Sequence, residues 1–207
     1  MINAPWPSLA VVAAILLSYL WQSTLGGGEA AAQLYGLIPA DLDRGRLMGL
    51  VTMVFIHAGW AHAGMNAVAA LAFGPPVARL MGRGATGAVG FFSFYLVCGL
   101  LAGLGYAVMH LHQVEPAIGA SGAVSGLMGA ASRLYGAYGG DLNPLRSRPV
   151  VSLAVSWILV NALMAVFGAP LAGAERIAWE AHIAGFVAGV LLIDPWSRLF
   201  GPKLARS

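Results

Sequence analysis

Ser121 and His182 are the two side chains of this sequence best placed to do chemistry. His182 stands in Ala181-His182-Ile183-Ala184-Gly185, among small and apolar residues. An ionisable ring in such a setting is costly to bury without a partner, which makes it a functional candidate by default. The plainer alternative is a neutral imidazole hydrogen-bonded to a neighbouring helix. Ser121 stands in Gly119-Ala120-Ser121-Gly122-Ala123-Val124-Ser125-Gly126. Gly122 and Gly126 make a small-xxx-small face suited to close helix packing, and packing alone would explain the glycines. The second glycine of the soluble α/β-hydrolase elbow, two places after the serine, is absent. As the opening of a helix the segment makes more sense, because unpaired N–H groups and the positive end of the helix dipole are there to hold an oxyanion.

His62 and Asn66 are spaced i, i+4, so on a helix they share one face and can offer two donors to one point, or else bond a neighbouring helix. His57, five residues before His62, falls on a different face, and no H-E-x-x-H occurs, which disfavours a zinc hydrolase. Asp41, Asp43, Asp141 and Asp194 fall in loops or at the ends of apolar runs, so a pair of in-membrane carboxylates is missing as well. His110 and His112 open a loop and read as solvated interface residues. Cys98, alone in an apolar run, reads as a small buried hydrophobe and cannot form an internal disulfide.

The elements that must position these residues follow from composition. The chain is 59% hydrophobic and 9% charged, against about 25% charged in ordinary soluble domains, so lipid is its expected solvent. Its 207 residues suit one domain, 1 to 207, of about six spans. Apolar runs bounded by charge or Gly/Pro clusters give those spans at about 6 to 23, 58 to 78, 85 to 109, 117 to 132, 150 to 168 and 178 to 196. No basic residue precedes the first run, so it is read as a retained helix and not a signal peptide. The long connection 24 to 57 is expected to hold short interfacial helices outside the membrane.

Threading the chain through six spans puts Arg79, Arg83, Arg133, Arg146, Arg148, Arg198, Lys203 and Arg206 on one side and only Arg44, Arg46 and Arg176 on the other. The positive-inside rule then makes both termini cytoplasmic, and the scattered basic residues signal topology and not nucleic-acid binding. Ser121 lies as far ahead of Arg133 as His182 lies ahead of Asp194. At about 1.5 Å per residue both stand roughly 18 Å from the cytoplasmic boundary. In a hydrocarbon core about 30 Å thick that is roughly 10 Å below the outer surface. Asn66, measured from Arg79, comes to about 20 Å, although Pro75-Pro76 is expected to kink its helix. Three polar residues from three helices therefore meet at one level.

At this point the sequence resembles the rhomboid family of intramembrane serine proteases, from the second span to the sixth. His57-Ala58-Gly59-Trp60-Ala61-His62-Ala63-Gly64-Met65-Asn66 is similar to the family's H-x-x-x-x-H-x-x-x-N, Gly119 to Gly122 to its G-x-S-G, and Ala181 to Gly189 to its A-H-x-x-G-x-x-x-G, which includes Gly185 and Gly189. The resemblance implies an all-α, six-transmembrane-helix bundle with a long first external loop. It implies Ser121 as nucleophile, His182 as base, and His62 and Asn66 joining the Ser121 N–H in the oxyanion hole. It further implies substrates that are transmembrane segments of other proteins, cut near their outer end, lipid as the surrounding partner, and neither metal nor cofactor. A bacterial inner membrane is the expected location.

The chain departs from the family at two places. Met48-Gly49 stands where many members have Trp-Arg, and Ser125 where an aromatic often packs on the histidine. With no acid available to orient His182, packing is expected to hold it. The loop 169 to 179 is expected to act as a mobile cap. Two other readings compete: a rhomboid-like binder of transmembrane helices without activity, which should have lost Ser121 or His182, and a polytopic transporter, which would want inverted repeats or matched broken helices that the sequence does not show.

Overall fold

The structure, a computed structural model, describes residues 4–24, 28–137, 141–168 and 177–202. α1 (Trp6–Thr24) leads into three short helices, α2 (Gly28–Tyr35), α3 (Pro39–Leu42) and α4 (Gly49–Thr52), and a 3-10 turn at Met53–Phe55. Then come α5 (Trp60–Met81), α6 (Ala85–Met109), α7 (Ser121–Ser132), α8 (Arg148–Leu163), a π turn at Met164–Gly168, and α9 (Trp179–Phe200). Each of the six apolar runs holds a helix, and the connection from 24 to 57 holds the shortest ones. Among the described residues the regular structure is all helical, save an isolated bridge between Leu37 and Ala117.

Four helices are long and apolar enough to cross a membrane by length and composition: α1, α6, α8 continued to Val166, and α9. In such a medium helix is the element that satisfies every backbone group internally. α5 has 22 residues, but His62, Asn66, Pro75, Pro76 and Arg79 dilute its apolar character, and α7 has only 12. The two that fall short are those that carry His62, Asn66 and Ser121. In α5 the polar residues lower the hydropathy, whereas α7 falls short in length. The prolines do not end α5, which runs on to Gly82, whose positive φ of 93° stops it.

α7 sits at the centre, every residue from Gly122 to Ser132 buried, with α5, α6, α8 and α9 around it. Its tightest partner is α9. A Cβ at Gly185 would overlap the Gly122 carbonyl, one at Gly189 the Gly126 carbonyl, and one at Gly129 the Phe186 carbonyl. The backbones thus touch through glycine notches, the packing that substitutes in lipid for a hydrophobic drive between helices. On the opposite flank Ala102 and Cys98 of α6 fill the space over Gly122 and Gly126. α8 is the peripheral helix: only Val150 and Asn161 are buried, while Val151, Val155, Ile158, Leu159 and Leu163 are exposed. Arg133, just past α7, donates to the carbonyls of Asn143 and Val190 and so ties the end of α7 to α9.

Candidate active site

The notched crossing of α7 and α9 fixes where Ser121 and His182 meet. Ser121 opens α7 one residue before Gly122, and His182 sits in the first turn of α9, one helical turn before Gly185. With the glycines in register, the Ser121 hydroxyl lies 2.8 Å from His182 Nε2. The histidine is buried and the serine half-buried. Ser125, one turn further along α7, is excluded from this chemistry because its hydroxyl donates to the Ser121 carbonyl at 2.7 Å and is itself buried.

The segment ahead of Ser121 is clamped by the long connection between α1 and α5. Leu37 and Ala117 exchange two backbone bonds of 2.9 and 2.8 Å, and the Gly119 N–H donates to the Met53 carbonyl at 2.9 Å. The Ala120 N–H donates to His57 Nε2 at 3.4 Å. His57 is fully buried, and its own backbone is clasped by Gln22 of α1, which donates to the His57 carbonyl at 2.7 Å and accepts its N–H at 3.0 Å. Two N–H groups before Ser121 are therefore used up. The first helical bond of α7 closes at Val124, whose N–H reaches the Ala120 carbonyl. Hence the Ser121 N–H is left without a partner among the described residues, as a helix start allows.

His62 lies on the same side of Gly119 as the Ser121 hydroxyl. Its Nδ1 accepts the Ala58 N–H at 3.4 Å, so in the neutral ring Nε2 carries the proton. Nε2 and Cε1 lie against Gly119, where an added Cβ would stand 2.8 Å from both and 3.5 Å from the Ser121 hydroxyl. Gly119 is thus required twice, by that contact and by its φ of 121°. Asn66, buried on the same face of α5, donates one amide N–H to the His62 carbonyl at 3.1 Å. Among the described residues no hydrogen bond joins Asn66 to Ser121 or His182, and the second amide N–H stays open.

Three features differ from the expectations raised by the sequence. His182 is held by more than packing: its Nδ1 lies 2.6 Å from Asn161 Oδ1 of α8. The Trp157 ring of the same helix lies over it at 5.7 Å and 36°, on the histidine that Ser125 leaves without an aromatic from α7. An amide inside an apolar run was the signal available for Asn161, since polar residues at such depth are functional candidates. His110 is not a solvated interface residue. Its Nε2 lies 3.0 Å from Glu180, which is buried at the start of α9, and the Tyr106 ring packs on it at 4.5 Å. Gly49, at the Met48-Gly49 departure, lets α4 lie against the Gly36-Leu37 backbone, where a Cβ would clash. Residues 169 to 176 of the expected cap lie outside the described residues.

Comparison with known proteins bears on this geometry. A family model for the Rhomboid domain matches residues 44–198, which include every polar residue just described except Gln22. The chain is 34% identical over 107 residues to Rhomboid protein 1, mitochondrial, of Saccharomyces cerevisiae, covering 50% of this chain and 29% of the yeast protein. It is 35% identical over 98 residues to RHOMBOID-like protein 9, chloroplastic, of Arabidopsis thaliana, covering 47% and 21%. To YdcA of Bacillus subtilis it is 25% identical over 174 residues, covering 84% and 74%. The chain thus spans less than a third of the yeast and plant relatives. Because the domain match runs through α5 to α9, the part of the chain that builds the Ser121–His182 crossing, the protein belongs to the rhomboid family of integral membrane proteins.

Proposed function

We propose that the protein is an intramembrane serine endopeptidase that cuts transmembrane segments of other membrane proteins near their outer end. The observation that carries this is the 2.8 Å contact of the Ser121 hydroxyl with His182 Nε2 at the N-terminus of a buried helix. His182 takes the Ser121 proton as Oγ attacks the scissile carbonyl carbon. The oxyanion so formed accepts from the Ser121 N–H and His62 Nε2–H, with the open amide N–H of Asn66 as a third donor. His182 then gives its proton to the leaving amine, the acyl-serine remains, and water activated by the same imidazole hydrolyses it. Serine, imidazole and donors make the chemistry complete without metal or cofactor.

The same proposal gives the chain one domain of six spans, α1 and α5 to α9, with the connection holding α2 to α4 as an external loop. Both termini face the cytoplasm of a bacterial inner membrane; the excess of basic residues on the side of the termini supports that orientation. Substrate helices and lipid are its partners, and nucleic acid is not. The test is covalent labelling of the intact protein in membranes by a fluorophosphonate probe. Labelling that requires both Ser121 and His182, together with cleavage of a model transmembrane substrate, is the expected result. An unlabelled, correctly folded protein that still binds such helices would favour the inactive binder instead.

A further inference from the structure

Asn161 is the polar member of the only two buried residues of α8, a helix that packs on the bundle through one face and leaves most of its other residues exposed. Its amide can be oriented in one way. Four residues back on its own helix, the Trp157 carbonyl lies 2.8 Å from Asn161 Nδ2 and can only accept, so the nitrogen must face it. The side-chain oxygen is then turned to His182 Nδ1 at 2.6 Å, and that nitrogen must donate. In a neutral ring the remaining nitrogen, Nε2, has a free lone pair, and it is the one that meets the Ser121 hydroxyl. Every donor in the series Ser121, His182, Asn161, Trp157 carbonyl points the same way, so each bond polarises the next.

We infer that Asn161 is the positioning residue for His182, fixing the imidazole as its Nδ1–H tautomer so that Nε2 is held ready for the Ser121 proton. This rests on the hydrolase proposed above. The other tautomer would put an N–H against the Ser121 hydroxyl, where it cannot act as a base. An amide in this position has a physical rationale in lipid: it accepts the same bond as a carboxylate without burying a charge. Trp157 adds a wall on one face of the ring, so tautomer and plane are both set from α8.

Two variants and one spectroscopic measurement test this. Asn161→Leu keeps the side-chain size and removes the acceptor. Asn161→Asp keeps the acceptor toward His182 and gives up the donor toward the Trp157 carbonyl. The rate at which a fluorophosphonate labels Ser121 is followed against pH in folded protein, with kcat and KM on a transmembrane substrate. Side-chain 15N spectra of His182, assigned by their loss in His182→Ala, report which ring nitrogen is protonated. Asn161→Leu is expected to label and turn over about 10- to 100-fold more slowly with KM within about twofold, since a base in a mixture of tautomers loses part of its effect. In Asn161→Asp the rate returns to within about fivefold of the wild type. Its acid limb moves to higher pH, because a carboxylate stabilises the imidazolium. His62, which lies within electrostatic reach of His182, and the His110–Glu180 pair are unchanged in both variants, so the displacement reads His182. The wild-type spectrum is expected to show a protonated Nδ1 and an unprotonated Nε2.

Wild-type labelling rates and an unmoved acid limb in Asn161→Leu would overturn the inference. So would a wild-type His182 protonated at Nε2, a result that stands even if Asn161→Leu does not fold. If the wild type is not labelled at Ser121 at all, the hydrolase proposal fails, and the nitrogen spectra still decide whether Asn161 sets the tautomer.

Discussion

Ser121 and His182 are expected to act as one unit, because a hydroxyl without its base is a poor nucleophile. Ser121→Ala, His182→Ala and the double variant should all fall to background on a transmembrane substrate, the losses being non-additive. Ser125→Ala should retain clear activity, since the Ser125 hydroxyl is spent on the Ser121 carbonyl. A purified Ser121→Ala protein that still cut its substrate would remove the basis of the assignment. Cleavage should also fall as the pH is lowered, because protonated His182 cannot accept the serine proton. His62→Ala removes the N–H that faces the site and should lower kcat about 10² to 10³-fold. Asn66→Ala should lose less, as one of its N–H groups is tied to the His62 carbonyl. Equal rates for wild type and His62→Ala, in liposomes as well as detergent, would take His62 out of the oxyanion hole.

Between elements, the site depends on two contacts that contain no reacting group. The first is the glycine crossing of α7 and α9. Gly189→Leu must push α9 off the Gly126 carbonyl; overpacking of this kind costs about 1–3 kcal/mol. Its larger effect is functional, because the helices can separate only by lengthening the Ser121–His182 contact. Loss of fluorophosphonate labelling in a protein whose melting temperature has dropped only modestly is the expected outcome. The second contact is the clasp of Gln22 on His57. Gln22→Leu leaves the buried His57 N–H and carbonyl without their partner, at about 1–3 kcal/mol for each unpaired group. His57 in turn holds the Ala120 N–H. Thermal unfolding in detergent should register the substitution first, and labelling of Ser121 should weaken with it. Unchanged stability in Gln22→Leu would mean that the connection from 24 to 57 is anchored elsewhere. The exposed pairs of Asp41 with Arg44 and Arg46 are poor candidates for that anchor, since such bridges contribute little.

For the whole molecule, the orientation in the membrane is the property to test. On a Cys98→Ala background, single cysteines at positions 115 and 175 should label from outside with an impermeant maleimide and one at 146 only from the cytoplasm. The reverse pattern would invert the topology and put the Ser121 level near the wrong surface. Residue types and spacing alone determined a good deal here: six apolar runs, each found to hold a helix, and a serine and a histidine at matching positions along two of them, which meet in the structure. They could do so because helical rise is constant and lipid tolerates few polar residues, so position along a run converts directly to height. Rotation about the helix axis is another matter. A helix apolar on every side has no hydrophobic face to tell the core from lipid, and α8 is such a helix. That Asn161 and Trp157 turn inward to His182 while Ile158 and Leu159 turn outward was decided by how α8 packs on Met128, Phe186 and Val190. Gln22 finding the His57 backbone and Glu180 finding His110 were decided in the same way. These last two are polar groups whose partners lie 35 and 70 residues away in sequence, and only the packing of the bundle brings them together, because a polar group buried there must find its partner within the protein.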